Sequence, residues 1–130
     1  MEEKIKLLIL DDDEMSRIYV SLVYKKKAFV DAVENAESAI KKASEVMYDV
    51  VILDIGLKGK LNGMDVLKVI RKIPGYDKVP IIAFTAFAMA GDREKFLQEG
   101  FNDYISKPLT REDLFSLVDK NLQQSKNLKK

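Results

Sequence analysis

Three aspartates stand together at Asp11-Asp12-Asp13, a fourth stands alone at Asp54, Thr85 follows an apolar run, and Lys107 precedes a proline. Carboxylates brought to one place repel each other unless a cation lies between them, and an all-oxygen ligand set favours a hard ion such as magnesium over a transition metal. A lysine and a hydroxyl nearby would hold the remaining oxygens of a phosphoryl group, the ammonium by a charge-assisted hydrogen bond. Such a set suits phosphoryl transfer onto a carboxylate. What the chain lacks narrows the chemistry further: it has no cysteine and no histidine. Disulfides, thiolate catalysis, zinc clusters and phosphohistidine are therefore excluded, and so is the commonest general base.

The groups are far apart in sequence, so the elements between them must bring them together. Ile5 to Leu10 is apolar except for Lys6 and stops at the three aspartates, as a buried parallel strand does on reaching a polar edge. Met15, Ile18, Tyr19 and Leu22 recur at helical spacing and predict the inward face of a first helix, ending at the run Lys25-Lys26-Lys27. A weaker strand spans Ala28 to Val33. Asn35 then caps a helix with Ala39, Ile40, Ala43, Val46 and Met47 on one face. Val50 to Leu53 is mostly β-branched and ends at Asp54; Val66, Leu67, Ile70 and Ile73 mark a helix that stops at Pro74-Gly75. Val79 to Phe84 is a strand ending at Thr85. A helix between Ala88 and Glu99 stops at Gly100, and Asp103 to Ser106 is a fifth strand. Thr110-Arg111-Glu112-Asp113 is close to a capping box and opens a helix with Leu114, Leu117, Val118 and Leu122 inward.

Strict alternation of five strands and five helices predicts an α/β fold, an open parallel sheet with helices on both faces. In such sheets ligands bind beyond the carboxyl ends of the strands. That is where Asp11-Asp12, Asp54, Thr85 and Lys107 all fall. At 130 residues, with 47% hydrophobic and 33% charged residues, the chain reads as one globular domain, residues 1–123, with a polar tail at 124–130. A net charge of +1 gives no general pull towards nucleic acid or anionic lipid, and the first residues form neither a signal peptide nor a membrane span. A cytoplasmic location is the expectation.

The stretches LLILDDDEMSR, DVVILDIGL, NGMDVLKVIR, VPIIAFTAFA and GFNDYISKPLTREDL resemble the receiver domain of two-component response regulators, from Ile5 to about Leu122. The resemblance implies a flavodoxin-like sheet in the order 2-1-3-4-5. It implies that Asp54 is phosphorylated, that magnesium is held by Asp11, Asp12, Asp54 and the backbone carbonyl of Gly56, and that Lys107 and Thr85 complete the catalytic set. Thr85 and Tyr104 are then the switch residues. The implied partners are a histidine kinase or a histidine phosphotransfer protein, and a downstream protein at the face made by helix 4, strand 5 and helix 5. Neither nucleic-acid binding nor membrane insertion is implied; the domain would catalyse its own phosphorylation and dephosphorylation. It also suggests a cis bond between Lys107 and Pro108. Two features depart from the commonest family pattern: the basic loop from Asp54 to Gly63 is one residue longer, and Gly56 offers no side chain near the attacking water.

Plainer roles stand beside these. Asp11 and Asp12 could merely cap the first helix, as Asp13 and Glu14 are expected to do. Thr85 could bond its own backbone. A phosphatase of the haloacid dehalogenase type would take Asp11 as nucleophile and Asp13 as acid, but Met15 stands where that family has Thr or Val. A phosphorylation-independent interaction module is the third reading. The chain reads either as a stand-alone regulator or as a receiver cut from a hybrid histidine kinase, and no effector module is expected within it.

Overall fold

A computed structural model describes residues 4–57, 61–86, 91–107 and 110–128. The elements alternate without exception: β1 (Ile5–Leu10), α1 (Glu14–Val23), β2 (Ala28–Val33), α2 (Ala36–Glu45), β3 (Val50–Asp54), α3 (Gly63–Arg71), β4 (Ile81–Thr85), α4 (Asp92–Glu99), β5 (Asp103–Ser106) and α5 (Arg111–Leu128). The strands form one parallel sheet in the order β2-β1-β3-β4-β5. The order reverses between β1 and β3, so the crevice of an open α/β sheet opens beyond the ends of these two strands.

Each face of the sheet has its own core. Leu8, Leu10, Val51, Leu53, Ile81 and Ala83 point towards α2, α3 and α4. Leu7, Ile9, Val50, Ile52, Ile82 and Phe84 point the other way, where Val20, Tyr24, Leu114 and Val118 cover them. This two-sided burial is why the strands read as continuous apolar runs instead of alternating ones. Helix starts carry the expected chemistry. Asp13 Oδ2 accepts from the Ser16 N–H at 3.2 Å and its hydroxyl at 2.7 Å; Asn35 caps α2 through the Ser38 N–H; Asn62 and Asp65 form a reciprocal capping box on α3. Thr110 Oγ1 accepts from the Asp113 N–H at 3.1 Å at the start of α5.

The expected inward face of α1 is not the buried one. Met15 and Leu22 are 69% and 64% exposed, and Ile18 and Tyr19 are exposed too, while Val20 and Tyr24 turn inwards. Val20, Val23 and Tyr24 form a second apolar stripe beside that of Met15, Ile18 and Leu22, and periodicity alone cannot choose between the two. At the other end, α5 runs to Leu128, six residues past Leu122, through what composition marks as a polar tail.

Candidate functional site

The carboxyl ends of β1 and β3 bring their acids together. Asp11 follows β1, is fully buried, and its Oδ1 accepts from the Asp13 N–H at 3.0 Å. Its carbonyl is fixed by the Arg17 guanidinium at 2.9 Å, reaching back from α1. Asp54 ends β3 and is also buried, with Oδ1 accepting from the Gly56 N–H at 2.9 Å. Asp12, exposed, completes a group in which one oxygen of each of Asp11, Asp12 and Asp54 lies within 4.8 Å of the others.

Lys107 crosses from the end of β5 to face them. Its Nζ is 2.7 Å from Asp11 Oδ2 and 3.9 Å from Asp54 Oδ2, and its backbone N–H donates to the Thr85 carbonyl at 2.8 Å. A single ammonium does not settle two buried carboxylates. Burial, with the Asp11 carboxylate beside it, pushes Asp54 up to about 7, against the opposing pull of the Gly56 N–H and Lys107. Asp11 Oδ2 makes no hydrogen bond of good geometry among the described residues, although the Lys107 ammonium faces it. A buried oxygen left in this state, in an all-carboxylate group with two further acids, fits a hard divalent cation such as magnesium.

Thr85 ends β4, is buried, and pairs in register with Ser106; two residues back, Ala83 pairs with Tyr104. Side chains alternate along a strand, so Thr85 and Tyr104 are diagonal neighbours on one face of the sheet. The Tyr104 ring packs on Phe96 of α4. All the candidates that close on the acids thus come from strand ends: Asp11, Asp12, Asp54 and Lys107 meet, Thr85 adjoins them, and Tyr104 lies two residue pairs behind. Gly56 contributes its N–H to Asp54. Pro108 lies outside the described residues, and so does the proposed cis bond.

Three supporting residues escape a reading of the sequence. Phe84 sits with its ring centroid 4.8 Å from Lys107 Nζ, a cation–π contact, and together with Met15, Tyr19 and Ala86 it lines a groove of about 560 Å³ beside the site. In the sequence Phe84 is merely the last apolar residue of β4. Arg17 reads as a polar residue of α1. Gly63 opens α3 against β3 so closely that an added Cβ would lie 2.4 Å from the Asp54 carbonyl oxygen; its place beside the Asn62 cap was the only signal.

The Asp11–Asp13 pair does not suit a phosphatase in which Asp11 attacks and Asp13 donates a proton. Asp11 is sealed against Lys107, and Asp13 is engaged as the cap of α1.

The chain is similar to known signalling proteins and to solved receiver domains. The chain is 30% identical over 122 residues to hybrid signal transduction histidine kinase I of Dictyostelium discoideum, covering 88% of this chain but 7% of that protein. It is 28% identical to the signal transduction histidine-protein kinase BarA of Escherichia coli K12, over 90% of this chain and 13% of that protein. The chain therefore spans a small part of these relatives. Among solved structures, the receiver domain of sensor histidine kinase PA1611 from Pseudomonas aeruginosa superposes with a TM-score of 0.83 at 30% identity, covering 93% of this chain and 99% of that one; it carries magnesium coordinated in its active-site cleft. A CheY-like receiver domain from Methanospirillum hungatei shares the fold with a TM-score of 0.86 at 21% identity, over 96% of this chain and 98% of that one. Among the described residues no helix is long and apolar enough to cross a membrane. The family profile for the response regulator receiver domain matches residues 7–119, and the chain belongs to that family, the receivers of two-component and phosphorelay signal transduction.

Proposed function

We propose that Asp54 accepts a phosphoryl group from a phosphohistidine on a histidine kinase or phosphotransfer protein, and that Thr85 and Tyr104 convert the new charge into a changed surface. The observation that carries this reading is the convergence of Asp11, Asp12 and Asp54 within 4.8 Å, faced by Lys107 at a strand-end crevice.

The Asp54 carboxylate is itself the nucleophile, so no separate base is needed. An oxygen of Asp54 bonds to phosphorus as the bond from phosphorus to the donor nitrogen breaks. The product is an acyl phosphate, and the imidazole leaves with the electron pair. Lys107 lies 3.9 Å from Asp54 Oδ2, able to neutralise charge on the transferring group, and Phe84 backs its ammonium. Asp11, Asp12, Asp54 and the Gly56 carbonyl would hold magnesium, which supplies positive charge that lets the acids and the phosphoryl oxygens share one crevice. Water attacking the same phosphorus returns the free carboxylate, and the small Ala86 beside Thr85 leaves room for its approach.

Once Asp54 is phosphorylated, the Thr85 hydroxyl turns to a phosphoryl oxygen by a hydrogen bond. Its diagonal neighbour Tyr104 moves into the vacated space, and the surface of α4, β5 and α5 changes where a downstream protein binds.

Intact mass after incubation with phosphoramidate tests the chemistry. One added phosphoryl group is expected on the wild type with magnesium and none on Asp54→Asn or with a chelator. An adduct that persists in Asp54→Asn would overturn the assignment.

A further inference from the structure

Helix α4 has little to hold it. It has eight residues, its N-cap Gly91 offers no side-chain hydrogen bond, and Phe96 is its one buried side chain. Phe96 rests on two rings. Phe101 meets it edge-on at 5.9 Å, and Tyr104 of β5 stacks on it at 5.5 Å with 27° between the planes. An ion pair from Arg93 to Asp103 at 3.7 Å has its arginine half exposed and is weakened by solvent. The Tyr104 hydroxyl, meanwhile, is buried with no hydrogen-bond partner among the described residues. Tyr104 is thus drawn to its place by the stack and pushed from it by an unsatisfied polar group, the condition for a side chain with two accessible positions.

We infer that Phe96 is a positioning residue for Tyr104, and that the Phe96–Tyr104 stack is the latch through which phosphorylation at Asp54 loosens α4. The inference rests on the reading of Asp54 and Thr85 given above, and adds that α4 responds because its only buried anchor leans on the moving ring. When Tyr104 swings towards Thr85, Phe96 loses its stacking partner and keeps the edge-on contact with Phe101. An aromatic stack shifts the populations of two ring positions by a factor of roughly 2 to 12.

Hydrogen exchange of the α4 amides, read by mass spectrometry, tests the latch in the full chain. Wild type, Phe96→Leu, Tyr104→Leu and the double variant are compared with and without phosphoramidate and magnesium. Peptides from α2 report whether each variant is folded, with Phe96→Met as the volume-matched replacement if the leucine variant is not. Phosphorylation should speed α4 exchange in the wild type. In Phe96→Leu exchange should already be faster by a similar factor, phosphorylation should add nothing, and the double variant should match either single one. A merely structural phenylalanine would leave the response to phosphorylation intact in Phe96→Leu, and that result overturns the latch. Absence of a phosphoryl adduct by intact mass would count against the reading of Asp54 instead. The unphosphorylated variants would still judge the latch, for additive effects of Phe96→Leu and Tyr104→Leu would refute it.

Discussion

The two ends of the sheet solve opposite problems. At the amino end, the Arg71 guanidinium donates to the carbonyls of Tyr76, Val79 and Gly100 at 2.8, 2.6 and 3.0 Å, and to Asn102 Oδ1 at 2.6 Å. Asn102 Oδ1 also accepts from the Ile81 N–H, so one charged fork fastens α3 to the entries of β4 and β5. Every contact there is complementary. At the carboxyl end, Asp11 and Asp54 share a single lysine, and Asp54 is raised to about 7. One end spends its polar groups on holding the fold. The other keeps carboxylates in a state that only a cation or a proton relieves, and depends on the first end to keep them there.

If that contrast is right, the largest loss of stability comes from the end without chemistry. Arg71→Met should lower unfolding free energy by about 3 kcal/mol, since it strands several acceptors of a charged donor. Arg71→Lys should recover only part, because an ammonium lacks the planar fork. Urea denaturation measures both, and a loss below about 1 kcal/mol would mean that the amino end is not the fastening point.

Most of the fold was legible because parallel strands buried on both faces, capping residues and helix-ending glycines each leave a local mark, as at Val50–Asp54, Asn35 and Gly100. The candidate site was legible for a related reason: polar residues that end several apolar strands at one edge exceed what helix capping or turn bonding needs, so Asp11, Asp54 and Thr85 stood out. The buried side of α1 was not, since Met15, Ile18 and Leu22 form as good a stripe as Val20 and Tyr24, and only the packing of β2 and α5 decides between them. Arg71, Phe84 and Phe96 were missed because their partners are carbonyls, an ammonium and a ring brought from distant segments. No spacing along the chain records those contacts.

The second effect has the opposite sign. Folding raises Asp54 from 3.8 to about 7, so the folded chain holds that proton more tightly than the unfolded one. The stability this confers is complete below pH 3.8 and is lost as pH rises to about 7. Asp54→Asn carries no charge, and in the presence of a chelator it should be more stable than the wild type above pH 7 by on the order of 2 kcal/mol, with the difference shrinking towards pH 4. Thermal melts across this range measure it. A wild type as stable as Asp54→Asn at pH 8 without metal would show that Lys107 alone satisfies both acids, and the contrast between the two ends would fail.

The smallest expected effect separates the two roles that Lys107 can have at the acidic end. Its Nζ, 2.7 Å from Asp11 Oδ2, stands where it offsets the carboxylate charge and at the same time repels any incoming cation. If the acids are held ready for a divalent ion, removing the lysine charge should help that ion, and Lys107→Met should bind magnesium about fivefold more tightly, on the order of 1 kcal/mol. The same variant should take up phosphoryl from phosphoramidate more slowly, because the charge that meets the transferring group is gone. Calorimetric titration with magnesium and intact mass over time read the two effects separately. Weaker magnesium binding in Lys107→Met would mean that the lysine organises the carboxylates, so that the carboxyl end, like the amino end, is built around one cation already in place.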